Sequence, residues 1–166
     1  MVEIREAKSS DVKSIAKVIL ECFPNDFVDG KIKNVNIVYA EKWIKERMKC
    51  KQFMRYFVAI EDKRIVGFVF HLMIGGLSGV VQLEQIGVLK KYRGRGIGKK
   101  LIQTAENFWE KYLVNEYGKP LYKMLLTTSK INDDAHNLYS ATGFKYETTM
   151  KKIYWNNDEE IWVKEF

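Results

Sequence analysis

The 166-residue sequence has little cysteine, little proline and no long apolar run. Its two cysteines, Cys22 and Cys50, form no C-x-x-C pair, so we expect neither a disulfide framework nor a zinc site, and no metal. No apolar stretch approaches the roughly 20 residues that span a bilayer, and the first ten residues lack the apolar segment of a signal peptide. Because no low-complexity linker interrupts the chain, we expect one domain over residues 1–166. Because the sequence shows neither a spanning segment nor a signal peptide, we expect a cytoplasmic protein with no membrane partner.

Positive charge exceeds negative charge, with 28 Lys and Arg against 21 Asp and Glu and a formal net charge of +7. This balance favours an anionic ligand, a nucleic acid or an acidic membrane surface as a partner. The sequence contains no interleaved basic and aromatic motif of the kind that binds nucleic acid, and its tryptophans are spread out like core or edge residues. We therefore expect no nucleic-acid partner.

Apolar spacing along the chain alternates between strand and helix patterns. The opening VEIREA alternates as a short strand, and helical spacing over 12–20 predicts a first helix with Ser10 or Asp11 as its N-cap. A second short helix is predicted at 40–49, whereas residues 24–40 give no clear pattern. The rest of the chain predicts a hairpin over 55–74 with its turn at 61–63, a strand over 80–89, a helix from the next loop to about 113, a strand over 122–128, a helix ending at Gly143, and a last hairpin turning around 156–158. This order predicts a mixed α and β fold.

The stretch KKYRGRGIGKK, residues 90–100, places three glycines at alternate positions among six basic residues. Glycine lets a ligand approach the backbone, and the helix that follows offers unpaired N–H groups, so this unit predicts an anion site. A P-loop is excluded, because Arg93 stands where its first glycine belongs and Lys100 where its Ser or Thr belongs. The dinucleotide pattern G-x-G-x-x-G also fails, since the loop reads G-x-G-x-G. Residues 93–98 instead meet the pattern R-x-x-G-x-G.

A second pattern follows about 35 residues downstream, where Asn132, Ala135, Tyr139, Gly143 and Phe144 fit N-x-x-A-x-x-x-Y-x-x-x-G-F at every position. With these two patterns in this order, the sequence resembles the GNAT superfamily of acetyl-CoA-dependent N-acetyltransferases. The resemblance covers residues 82–144 at the level of motifs and 1–155 in the order of elements. It implies an α/β (α+β) fold of the GNAT type, with a central mixed sheet of six or seven strands flanked by about four helices.

The resemblance also implies how acetyl-CoA would be held. Backbone N–H groups from Gly94 to Lys99 would hold the pyrophosphate, while Arg93, Arg95, Lys99 or Lys100 would meet the outer phosphates or steer the ligand. The pantetheine amides would pair with the strand at 86–88, where Gly87 fits either a bulge or a close backbone approach. Asn132 would contact the pantetheine arm, cap its helix, or do both. The implied acetyl-CoA site is Ile86, Gly87, Val88, Arg93, Gly94, Arg95, Gly96, Ile97, Gly98, Lys99, Asn132, Ala135 and Tyr139.

Acetyl transfer to an amine needs proton transfers at two points. An amine with a pKa of about 10.4 is almost fully protonated at pH 7 and has no free lone pair, so a base must remove a proton. The resemblance offers Glu84, on the strand that enters the loop, although a water chain serves in some members and a solvated strand glutamate is the plain alternative. Tyr139 matches the tyrosine that lies near the CoA sulfur in relatives and would reprotonate the leaving thiolate. Its plain alternative is a core aromatic.

We therefore expect an N-acetyltransferase that moves an acetyl group from acetyl-CoA to a primary amine: a small amine, a polyamine, or a peptide or protein amino group. The alternative is a non-catalytic CoA-binding or protein-interaction module on the same fold. The acceptor would be framed by residues 22–45 and 149–160, where acidic residues at 26, 29 and 158–160 could attract a cation. Residues 20–55 nevertheless hold more Lys and Arg than Asp and Glu, so no acidic pocket is evident. A homodimer is left open, and His71 and His136 are expected to be structural.

Overall fold

The computed structural model describes residues 1–24, 36–76, 78–154 and 157–166. The acidic positions 26 and 29 and part of the last predicted turn lie outside these ranges. Within the ranges the chain forms seven strands and four α-helices, in the order β1 (Glu3–Glu6), α1 (Val12–Cys22), α2 (Ile37–Lys49), β2 (Met54–Glu61), β3 (Arg64–Ile74), β4 (Val80–Val88), α3 (Ile97–Tyr117), β5 (Lys123–Ser129), α4 (Asp133–Ser140), β6 (Lys145–Tyr154) and β7 (Asn157–Glu165). No helix in the described ranges is long and apolar enough to cross a membrane.

The strands form one mixed sheet in the order β1-β2-β3-β4-β5-β7-β6. Neighbouring strands run antiparallel except β4 and β5, which are parallel and are joined through α3. A parallel pair needs such a crossover, and the central βα unit of the sequence supplies it. The predicted fold class, a mixed sheet with about four flanking helices, is confirmed.

Helices cover both faces of the sheet, which explains why β2 and β3 are apolar along almost their whole length. On one face, Tyr56 and Val58 of β2 pack with the buried residues of α1 and α2. On the other face, Phe57 and Ala59 pack with those of α3, including the fully buried Trp109. The candidate site lies at the edge of β4, between the helices of the two faces.

Several predicted helix ends shift. Helix α3 runs to Tyr117 rather than to about 113, and it stops where Gly118 adopts the left-handed conformation at φ 62°. Helix α2 begins earlier than predicted, because the Asn36 side chain caps it through the Tyr39 N–H. Asp11 stands at the N-cap of α1, but its carboxylate accepts the Lys8 N–H and pairs with Arg5 instead of capping that helix.

Strands β4 and β5 separate partway along their length. Their parallel pairing runs from Val80–Lys123 to Leu83–Leu126 and then stops, although β4 continues to Val88. On its other side β4 stays paired with β3, with a register shift that leaves Glu84 as an extra, bulged residue. The edge of β4 that faces β5 is therefore open from Glu84 onward.

Candidate active site

A cleft of about 1120 Å³ opens where β4 and β5 separate, a volume suited to a small-molecule site. Its walls come from the end of α1, β4, the glycine loop, the start of α3, the end of β5, and α4. Glu84 lines it, and so do all but one of the residues of the implied acetyl-CoA site, namely Ile86, Gly87, Val88, Arg93, Gly94, Gly96, Ile97, Gly98, Lys99, Asn132, Ala135 and Tyr139. The exception is Arg95.

The glycine loop has the backbone that its sequence predicts. Gly94 and Gly96 have φ values of 73° and 74°, which non-glycine residues rarely adopt, and Gly96 is the N-cap of α3. The first N–H groups of α3 have no partner within the helix, so the loop and the helix start form an anion site beside the cleft. Arg93 ties the loop to the strand, because its Nε donates to the Val88 carbonyl oxygen at 2.9 Å.

The bulge does not lie at Gly87, where sequence reasoning offered it as one of two readings. It lies at Glu84, and Gly87 pairs in register with Phe68. The second reading, a close approach, is the one that the structure shows. A Cβ atom on Gly87 would lie 2.9 Å from the Phe68 ring and 3.2 Å from the Cys22 sulfur, so only glycine lets the end of α1 pack against β4 here.

Glu84 is the bulged residue of β4, and it interacts electrostatically with Arg47 of α2. One carboxylate oxygen accepts a hydrogen bond of 2.8 Å from the Gln82 amide. The Glu84 side chain is exposed in the open cleft, and the strands and helices around it remove part of its hydration. This desolvation raises the pKa of Glu84, and the positive charge of Arg47 partly opposes the rise. A raised pKa brings a carboxylate closer to the range in which general bases work.

Helix α4 brings the other predicted residues to the cleft. It is held against the start of α3 at Gly98, where a Cβ atom would lie 3.1 Å from the Leu138 side chain. The Asn132 side chain caps the helix by accepting the Ala135 N–H at 3.3 Å, so its predicted capping role is present. Tyr139 is buried between Phe144 and Trp162 and borders the cleft, and burial raises the pKa of its phenol to about 12.

Arg95 points away from the cleft. One of its guanidinium nitrogens donates to a Glu61 carboxylate oxygen at 2.8 Å and the other pairs with the second oxygen, so both residues are committed to a fork-like ion pair. The acids at 158–160, predicted to lie on the acceptor side, differ in their positions. Glu159 lines the cleft. Glu160 pairs with His136 and accepts a hydrogen bond from Trp162, and Asp158 accepts the Lys152 N–H.

Sequence reasoning missed one part of the wall, the end of β5, where Thr127, Thr128 and Ser129 line the cleft. A polar run at the carboxyl end of a buried strand was the available signal, because ligands often bind there. Cys22 and Phe23 at the end of α1 also line the cleft, and they fall within the range 22–45 that was expected to frame the acceptor. Burial raises the pKa of the Cys22 thiol, against the opposing charge of Arg93.

We expect Gly96→Val to weaken acetyl-CoA binding about tenfold or more, as measured by calorimetry. A left-handed conformation costs a non-glycine residue about 1–2 kcal/mol, and relief of that strain would turn the N–H groups of the loop away. Gly118→Val is the matched control, since Gly118 has a φ of 62° and open space at the other end of α3. We expect the two variants to lose similar thermal stability, and only Gly96→Val to lose affinity for acetyl-CoA. Equal affinities would show that the loop does not hold the ligand.

With the geometry in place, comparison with known proteins defines the class. The model of the acetyltransferase (GNAT) family matches residues 13–144. The chain therefore belongs to the GNAT family, and it is an N-acetyltransferase of that family, whose members use acetyl-CoA.

Individual relatives agree with this membership. The chain is 26% identical to an N-alpha-acetyltransferase of Sulfurisphaera tokodaii over 169 residues, covering 96% of this chain and 89% of that protein. The PaiA N-acetyltransferase of Thermoplasma acidophilum, solved in complex with coenzyme A, superposes with a TM-score of 0.71 at 20% identity over 100% of this chain and 99% of that chain. A mutant of the spermidine N-acetyltransferase SpeG from Vibrio cholerae gives a TM-score of 0.76 at 17% identity, with coverages of 98% and 94%. The two structural likenesses show the shared fold.

Proposed function

We propose that the protein transfers the acetyl group of acetyl-CoA to a primary amine by direct attack of the amine, with Glu84 as general base and Tyr139 as general acid. The observation that carries this proposal is one cleft that joins a basic glycine loop, a partly desolvated carboxylate and a buried phenol. A non-catalytic CoA-binding module would need the loop but neither of the other two groups.

The cleft fits the parts of acetyl-CoA in order along β4. The pyrophosphate matches the N–H groups at the start of α3, and Arg93 and Lys99 supply positive charge beside them. The open edge of β4 beyond Leu83 has backbone groups that β5 does not pair, and the pantetheine amides would pair with Ile86 to Val88 as an added strand does. This alignment directs the thioester toward Glu84 and Tyr139.

The amine nitrogen forms a bond to the thioester carbonyl carbon, and the carbon–sulfur bond breaks with its electron pair on sulfur. Glu84 accepts the proton that the ammonium loses before attack, directly or through water. After attack the nitrogen loses its second proton to water, and Tyr139 gives a proton to the leaving thiolate. Because burial disfavours the charged phenolate, Tyr139 stays protonated over the whole neutral range and is available as a donor. Solvent then returns the two residues to their starting states.

A panel of amines incubated with acetyl-CoA tests this function, with release of the CoA thiol and the mass of the product as readouts. The panel holds a polyamine, α-amino acids, amino acid amides and peptides with a free N-terminus, because the names of the relatives span polyamine and N-alpha substrates. We expect at least one class to gain an acetyl group in step with thiol release. Tight acetyl-CoA binding with no product from any class would favour the non-catalytic module.

A further inference from the structure

Arg47 is a half-buried cation with no acidic partner in the described part of the chain. Its guanidinium lies 3.6 Å from the centre of the Trp43 ring, and its one hydrogen bond is a long contact of 3.4 Å to the Trp43 carbonyl oxygen. The two acids nearest in the helix are committed elsewhere, because Glu46 pairs with Lys49 and Glu41 with Lys45. The Trp43 ring holds the guanidinium in place through a cation–π contact and leaves it without an anionic partner among the described residues.

Aromatic packing places this cation close to Glu84. Trp43 packs edge-on against Phe70 at 5.7 Å, and Phe70 stacks on Tyr56 at 4.3 Å. Phe70 is also the residue of β3 next to the bulge that projects Glu84. The charge of Arg47 opposes the rise in the pKa of Glu84, and Glu84 likewise acts on the pKa of Arg47, whereas no ion pair joins the two among the described residues.

Two uncharged groups beside this pair also lack partners within the described ranges. The Tyr56 hydroxyl is buried without a hydrogen bond, and so is the side-chain oxygen of Gln85, which belongs to the cleft wall. Buried polar groups are almost always hydrogen-bonded, so these two groups can serve as partners of a bound molecule. A charged pair with unpaired polar groups around it matches a small ligand that carries both signs of charge.

We propose that Arg47 binds a carboxylate of the acceptor, so that the preferred acceptor is an amino acid whose ammonium group faces Glu84 while its carboxylate faces Arg47. This inference rests on the proposed acetyl transfer and names its substrate class. A polyamine fits the same place poorly, because a second ammonium group would meet the guanidinium. Arg47 is thus a specificity-determining residue on the acceptor side, and it has no part in holding acetyl-CoA.

Matched pairs of substrates test this, each an α-amino acid and its amide, which keeps the amine and loses the negative charge. We expect the wild type to acetylate the acid with a kcat/KM about tenfold or more above that of its amide, because a hydrogen-bonded charge pair contributes that much. Arg47→Gln should abolish the preference by raising KM for the acid, with KM for acetyl-CoA and the rate with the amide little changed. Arg47→Lys, which keeps the charge, should retain part of the preference.

The two proposals fail in different ways. If amides and polyamines react as well as amino acids and Arg47→Gln changes nothing, acetyl transfer stands and the role of Arg47 is overturned. If no amine reacts, both proposals are overturned. Arg47→Gln also loses packing on Trp43, and the comparison of the acid with the amide separates that loss from the loss of charge. Lys45→Gln, which removes an exposed positive charge from the same helix, is the control for charge alone. A general loss of activity toward the acid and the amide alike would indicate a structural role and would also overturn the inference.

Discussion

Replacing Glu84 by Gln is expected to lower kcat/KM for the amine roughly 10²–10⁴-fold near neutral pH and to leave acetyl-CoA affinity nearly unchanged. Gln keeps the shape of the side chain and its hydrogen bond to Gln82, but it cannot accept a proton. The amine is almost fully protonated at that pH, so the loss falls on the step that makes it nucleophilic. Initial rates at several amine concentrations, with calorimetry for the donor, separate the two quantities.

The pH dependence of the rate gives a sharper form of this prediction. Desolvation raises the pKa of Glu84 above its ordinary value, and the group must be ionised to act as a base. Wild-type kcat/KM should therefore fall as pH drops through this raised pKa, at a higher pH than an ordinary glutamate would give. Glu84→Gln should lack that acid limb, and its rate should rise with pH up to the pKa of the amine used, as free amine becomes available.

Two variants control for effects other than loss of the base. Glu84→Asp keeps a carboxylate but shortens its reach, so it should retain the acid limb with a smaller loss of rate. Glu116→Gln removes an exposed carboxylate from the far end of α3 and should behave as wild type. If Glu84→Gln keeps full activity at neutral pH, water or another group is the base, and the assignment of Glu84 is wrong.

Local patterns were enough to predict the parts of the site that are local in the chain. The glycine loop needs left-handed backbone at Gly94 and Gly96 and a helix directly after it, and all three features follow from residues that are adjacent in the chain. Helix α4 could also be predicted from local sequence, because Asn132 caps it and Tyr139 follows two turns later on its inner face. The same holds for the strands, whose apolar pattern follows from helices on both faces of the sheet.

Features set by distant pairings could not be predicted in the same way. The bulge at Glu84 is a property of the register between β3 and β4, and the residues of β4 alone allow it at Gly87 equally well. Arg95 is basic and lies in the loop, but its partner Glu61 is 34 residues away, and that pairing turns its side chain from the cleft. Arg47 belongs to a helix with many charges, and only its place on Trp43, close to Glu84, distinguishes it from the others.

Tyr139→Phe is expected to lower kcat by about 10²-fold or more while acetyl-CoA affinity and thermal stability stay nearly unchanged. The ring would keep its contacts with Phe144 and Trp162, and only the hydroxyl would be lost. Raising the pH should not rescue this variant, because hydroxide cannot replace a proton donor. That response is the opposite of the one expected for Glu84→Gln, so pH–rate curves for the two variants distinguish acid from base.

A change of leaving group tests the role of the Tyr139 hydroxyl directly. In the selenoester analogue of acetyl-CoA the leaving selenolate is more stable than a thiolate and depends less on a proton donor, so Tyr139→Phe should recover much of its lost rate with it. Tyr146→Phe is the matched control, since Tyr146 also packs against Trp162 at 6.4 Å but is exposed and hydrogen-bonded to Thr149. It should match wild type with both donors. A Tyr139→Phe variant that is equally slow with both donors would show that its hydroxyl does not protonate the leaving group, and a variant with full activity would leave Tyr139 as a core aromatic.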